Sequence, residues 1–370
     1  MALVREQSRP GLELLRGLAA LAVCLGHVRA FLLPPFRSGG YAWWEQLCYF
    51  FSAQGEAAVW IFLVLSGYLV GGSVLYRRSA GTWSWSDYLL RRGTRLWVVL
   101  VPALVLTYLC DAWRGDSPVV SAGAMSNQGA FPHDGLTLLG NLCFLQDIVV
   151  PPFGSNTPLW SLAYEAWFYV LFPAVLESFG DRTRWRPFPA ACRCLGFALL
   201  AVVILRLIGP RGWWLALPWL LGAGLARWEQ SRPGQGGAYP RLLPWVGLAA
   251  SLGVAPFLPS ALRPGALVLI ALASVALVWS ETARSTLPRF LPTWLGSISY
   301  TLYATHMPMA VLVTSALASP LMHVSGPGRW GVVLAGTVAL VAAAAILWWL
   351  FERRTDAIRG TLQRLRPFAR

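Results

Sequence analysis

A chain of 370 residues with 56% hydrophobic side chains, only 12% charged ones and a mean hydropathy of +0.54 lies outside the soluble globular range, where about a quarter of residues are charged. Its net charge of +14 is carried by arginine without a single lysine. Those arginines flank hydrophobic runs instead of forming a basic face with interleaved aromatics, which argues against nucleic acid as a partner.

The apolar runs are continuous, not alternating, and about 17 to 25 residues long, which excludes a β-barrel and predicts an all-α polytopic membrane protein of about ten spans. The first run, near 12–33, lacks a small-residue cleavage site and reads as a retained helix, not a signal peptide. It contains "RGLAALAVCLGH", Arg16 to His27. Eleven residues at about 100° each return to within roughly 20° of one face, about 16 Å further along the axis. Arg16 is expected at the inner boundary and His27 in the outer half. An ionisable residue inside a span is costly and marks a candidate functional site.

The second span lies near 55–76. After it, "WSWSDYLLRRGTRLW" alternates aromatics and arginines as an interfacial helix does, leading into a span at 96–112. The segment 113–157, with Asp116, Asp134 and Asp147, is the longest external stretch. Its apolar piece, Leu136 to Leu145, is too short to cross and predicts a re-entrant or interfacial helix over the outer mouth. "NTPLWSLAYEAWFYVLFP", Asn156 to Pro173, opens the span 158–178 and carries Glu165 about 10 Å below the outer surface. Spans follow near 190–208, 213–228, 242–260 and 265–280. The span 294–318 enters from inside with "SISYTLYATHMP" and raises Tyr303 and His306 about 14 to 20 Å, close to the level of His27 and Glu165. A last span covers 329–351.

With the N-terminus inside, about 21 arginines fall in inner segments and about five in outer ones. This bias predicts cytoplasmic termini and a multi-pass protein of the inner (plasma) membrane. Residues 1–370 read as one integral domain with no fused soluble domain. The six cysteines show no paired metal spacing and are expected to be buried, inert thiols, so no metal site is expected. His133 and His323 fall in external segments and are expected to be solvated. Arg206 is expected to snorkel outward.

Five stretches together carry a resemblance: Arg16 with His27, "VWIFLVLSGYL", "YLLRRGTRLWVVLVP", "LWSLAYEAWFY" and "SISYTLYATH". Spread in order over nearly the whole length, they make the chain resemble membrane-bound acyltransferase family 3, the integral-membrane O-acyltransferases. The resemblance implies a cytoplasmic acyl-CoA donor, most plainly acetyl-CoA, and an acceptor hydroxyl on an external or lipid-linked carbohydrate or glycosylated metabolite. No tightly bound cofactor is expected; the acyl-CoA is a co-substrate. Arg16 with Arg91, Arg92 and Arg95 would hold its phosphates. His27 would act as general base or carry a transient acyl group, both of which remain open. Glu165 would orient that imidazole or bind the sugar, and Trp160, Tyr303 and His306 would contact the acceptor. The alternative is a transporter or flippase for a lipid-linked sugar or small anion, which would more often show inverted repeats.

Overall fold

The computed structural model describes residues 9–34, 36, 41–114, 131–179, 187–232, 242–254, 258–259, 261–281, 290–321 and 327–365. A helix occupies each of the ten predicted segments, and no strand occurs among the described residues. In order these helices are α1 (Pro10–Leu32), α2 (Trp43–Ser52), α3 (Gly55–Ser66), α4 (Gly72–Ser79), α5 (Trp85–Arg114), α6 (Gly135–Leu142) and α7 (Trp160–Ser178). After them come α8 (Pro187–Ser231), α9 (Leu242–Val254), α10 (Arg263–Glu281), α11 (Phe290–Leu321), α12 (Pro327–Leu350) and α13 (Thr355–Arg364). Among the described residues, seven helical stretches are long and apolar enough to cross a membrane.

α11 is a polar helix in the interior of the bundle. It carries Ser299, Thr301, Thr305, His306 and Thr314, all buried. A helix enclosed by other helices can exchange apolar residues for interhelical hydrogen bonds. It runs parallel to α1: Arg16 meets Gly296 at one end and His27 meets His306 at the other. A Cβ on Gly17 would lie 2.6 Å from that of Leu295, so the two backbones approach as closely as a missing side chain allows.

A second close crossing joins α3 to the C-terminal half of α8. Residues Gly67–Gly71 form a single π-helical turn between α3 and α4. A Cβ at Gly67 would run into the carbonyl of Trp219, and one at Gly222 into that of Val64. Reciprocal small residues on both helices create this contact, and the buried indole of Trp219 donates to Ser66 Oγ at 3.1 Å across it.

α8 is two predicted spans in one. At Gly209 the backbone leaves the helix with φ 59° and ψ −169°, a conformation suited to glycine. Trp213 Nε1 donates to the carbonyl of Leu205 at 2.8 Å, whereas in a continuous helix residues eight apart are separated by about 12 Å along the axis. The chain therefore bends sharply between the two halves.

Three expectations are revised. The stretch 83–97 does not form a separate interfacial helix, because α5 runs unbroken from Trp85 to Arg114; nothing between its arginines and the apolar span interrupts the hydrogen-bond ladder. The thiols are all free, but only Cys24 and Cys110 are buried, while Cys143 and Cys192 are exposed. His133 is not simply solvated: it pairs with a buried aspartate of α5. His323 and Asp116 lie outside the described residues. The short outer helix is present as α6, capped by Asp134, whose carboxyl is held below its ordinary value by hydrogen bonds from the backbone and side chain of Thr137.

Candidate active site

α1 presents Arg16 and His27 on one face, about 16 Å apart along the axis. They reach two different polar regions. At the N-terminal end, the Arg16 guanidinium donates to Glu13 Oε2 at 2.7 Å and to the carbonyl of Gly296 at 2.6 Å. Arg95, on α5, extends into the same region and is surrounded by Glu352, Tyr169, Tyr300 and Glu13, yet its side chain remains accessible. An accessible side chain among groups drawn from α1, α7, α11 and the segment Glu352–Arg354 marks a polar recess between these elements. Thr301 donates to Glu352 at 2.5 Å on the wall of this recess. Arg92 lies near it, donating to Ser73 Oγ at 3.3 Å with its guanidinium above the Tyr88 ring. Arg91 points elsewhere, into an ion pair with Asp87 one turn back.

At the other end of α1, His27 opens into a cavity of about 460 Å³ whose walls include Phe131, Asp147, Thr157, Trp160 and Arg211. Behind His27 stands His306, fully buried, with its Nε2 at 3.0 Å from His27 Nδ1. The protons of this pair follow from elementary bonding. His306 Nδ1 lies 2.8 Å from the carbonyl of Tyr303 and 3.1 Å from that of Leu302. A carbonyl only accepts, so Nδ1 carries the hydrogen and the Nε2 of a neutral ring has a free lone pair. That lone pair takes the Nδ1–H of His27, and His27 Nε2 is left as the acceptor.

The helix α7 carries Ser161, Glu165 and Tyr169 on one stripe at i, i+4 and i+8. Tyr169 donates to Glu165 Oε1 at 2.6 Å. Tyr303 donates to the carbonyl of Pro158 at 2.6 Å and receives the hydroxyl of Ser161 at 2.6 Å. Among the described hydrogen bonds, the imidazole of His27 is thus met by His306 and not by Glu165. Trp160 lines the cavity; Tyr303 and His306 are buried behind it.

Two wall residues had no readable signal. Arg211 lies with its guanidinium carbon 4.3 Å from the Trp160 ring centre and pairs with Asp147. In the sequence they appear only as an external arginine and an external aspartate, 64 residues apart.

A comparison with protein-family models finds one described as an acyltransferase domain matching residues 9–350. The chain belongs to acyltransferase family 3. No curated protein and no solved structure matches it. This membrane acyltransferase therefore has two polar regions at opposite ends of α1, a recess with Arg16 and Arg95 and a cavity with His27. Acyl transfer needs a proton acceptor beside the attacking group, and the tautomer of His27 offers one.

Proposed function

We propose that this acyltransferase moves an acyl group, most simply acetyl, from acyl-CoA to a hydroxyl of a carbohydrate or glycosylated acceptor at the outer surface. The observation that carries the reading is that His27 lines the cavity with its Nδ1 on Nε2 of His306, which leaves Nε2 of His27 as the acceptor. Acyl-CoA enters the recess from the cytoplasmic side, the side to which the arginine bias assigns both termini, with its phosphates on Arg16 and Arg95. Its pantetheine arm then extends along α1 toward His27, over a distance of roughly 16 Å.

In the transfer itself, Nε2 of His27 takes the proton of the acceptor hydroxyl as its oxygen attacks the thioester carbon. A C–O bond forms, the C–S bond breaks, and the departing CoA thiolate receives the proton from the imidazolium. Atoms and charge balance with ester and free CoA as products. His306 keeps Nδ1–H engaged, so that only Nε2 serves as the base. The Trp160 ring and the polar wall of Arg211, Asp147 and Thr157 suit a hydroxyl-rich ring that offers apolar C–H faces and donor groups. The cell's inner membrane is the compartment that this arrangement requires.

Free thiol released from acetyl-CoA by the purified protein, read with a thiol reagent in the presence of a sugar acceptor, tests the reading. His27→Ala is expected to reduce that release by about 10² to 10⁴, the usual contribution of a general base, with membrane insertion intact. Release within about tenfold of the native enzyme would contradict the general-base role.

A further inference from the structure

The outer wall of the cavity is tied to α5 by a device that the transfer chemistry does not use. Asp111, near the end of α5, has a side chain only 2% exposed. Its Oδ2 accepts the backbone N–H of Ser155 at 2.8 Å and lies 2.9 Å from Nε2 of His133. Beside a carboxylate that ring nitrogen is the donor. His133 is flanked edge-on by Tyr108 and Phe153, and the N–H of Gly154 donates to the carbonyl of Pro132 at 3.0 Å. Gly154 has φ +57°, and a Cβ there would strike the Asp111 carboxylate. One turn earlier on α5, Thr107 accepts from Asn156 Nδ2 at 3.2 Å, and the same amide donates to the carbonyl of Ala304 at 2.8 Å, two residues before His306.

These bonds converge on two strips of chain. Phe131 and Pro132 on one, and Gly154, Thr157 and Pro158 on the other, are lining residues of the cavity that His27 faces. A buried carboxylate is costly unless it is paired, and it is seldom kept where packing alone would serve. Here it does what packing cannot, fixing two loop segments to one helix by directional bonds.

We propose that Asp111 and His133 are positioning residues for the acceptor, clamping the wall at 131–132 to the wall at 154–157 so that a bound hydroxyl is held against Nε2 of His27. The proposal rests on the acceptor occupying this cavity, as the proposed function has it. The donor recess lies at the other end of α1, so the clamp acts on acceptor kinetics and not on acyl-CoA binding. An acceptor displaced by about 1 Å loses on the order of 10²-fold in rate, which sets the scale.

The test uses the full chain in a detergent without hydroxyl groups, with acetyl-CoA as donor and n-octyl β-glucoside as the acceptor probe, alongside hydrogen–deuterium exchange of the segment 153–157. In Asp111→Ala, kcat/KM for the glucoside is expected to fall by about tenfold or more, while KM for acetyl-CoA stays within about twofold. Exchange in 153–157 rises in the same variant. Asp111→Asn restores both, because an amide oxygen in the place of Oδ2 still accepts the N–H of Ser155 and the Nε2–H of His133. His133→Ala, which leaves the carboxylate on Ser155, shifts the same quantities in the same direction and keeps the test standing if Asp111→Ala fails to fold. Equal changes in donor and acceptor constants, or unchanged exchange in the folded alanine variants, would overturn the clamp. If the native protein releases thiol with other sugars but not with the glucoside, the exchange result decides the clamp by itself. If it releases none with any acceptor, the proposed function fails instead.

Discussion

Replacing His306 by phenylalanine removes the side-chain acceptor for His27 Nδ1–H while nearly preserving ring volume, so the buried site is left without the cavity that alanine would open. The structure gives the size of the effect. The 3.0 Å hydrogen bond between Nδ1 of His27 and Nε2 of His306 is the side-chain contact that holds the ring, which also meets the backbone of Val23. A hydrogen bond is worth about 0.5–1.5 kcal/mol net, which is up to roughly tenfold in rate, and the freedom to adopt the unproductive tautomer adds to this. The turnover number of His306→Phe is expected to fall by about 10- to 100-fold, less than for loss of His27 itself. KM for acetyl-CoA should hold, since the recess with Arg16 and Arg95 is untouched. His306→Gln should recover most of the loss, because its side-chain oxygen can reach the place of Nε2 and accept the same hydrogen. The assay is initial-rate thiol release at saturating and limiting acetyl-CoA, with melting temperatures measured on the same preparations. If the Phe and Gln variants both ran within about threefold of the native rate, or if both lost rate equally, orientation of His27 by His306 would be refuted.

Arg16→Ala is expected to raise KM for acyl-CoA by about 10- to 100-fold, the scale of charge-assisted hydrogen bonds to phosphate, and Arg16→Lys should recover only part because a point charge replaces a fork. The native KM should also rise more with salt than that of the variant, as the Debye length falls from about 10 Å at 0.1 M to 3 Å at 1 M; a change in acceptor constants alone would contradict the donor assignment. Gly67→Ala should destabilise the detergent-solubilised protein by about 1–3 kcal/mol or more, since its Cβ meets the Trp219 carbonyl. Gly55→Ala, with open space around it, should change stability by no more than about 0.5 kcal/mol. Thermal unfolding curves of the two variants side by side give the comparison.

The sequence by itself determined which apolar segments are helical and in what order, because hydropathy is a local property and a run of apolar residues has one stable state in lipid. It also determined the relation of Arg16 to His27, since a single helix is a rigid ruler: eleven residues fix both the angle and the rise. The runs also give an expected depth, which sets His27, Glu165 and His306 near one level. Depth is only one of three coordinates, however. Which of those residues turn toward each other depends on how the helices rotate and slide against their neighbours, and this is decided by contacts between residues far apart in the chain. The Arg16 guanidinium on the carbonyl of Gly296, with Gly17 against Leu295, sets the register of α1 against α11. That register brings His27 to His306, 279 residues away, and leaves Glu165 with Tyr169 on its own helix. The cavity wall was less legible still. Arg211, Asp147, Asp111 and His133 come from a helix bend, an irregular loop and a helix end, whose partners no periodicity announces. Tertiary structure alone brings them together, because an interhelical hydrogen bond exists only once packing has placed both its ends.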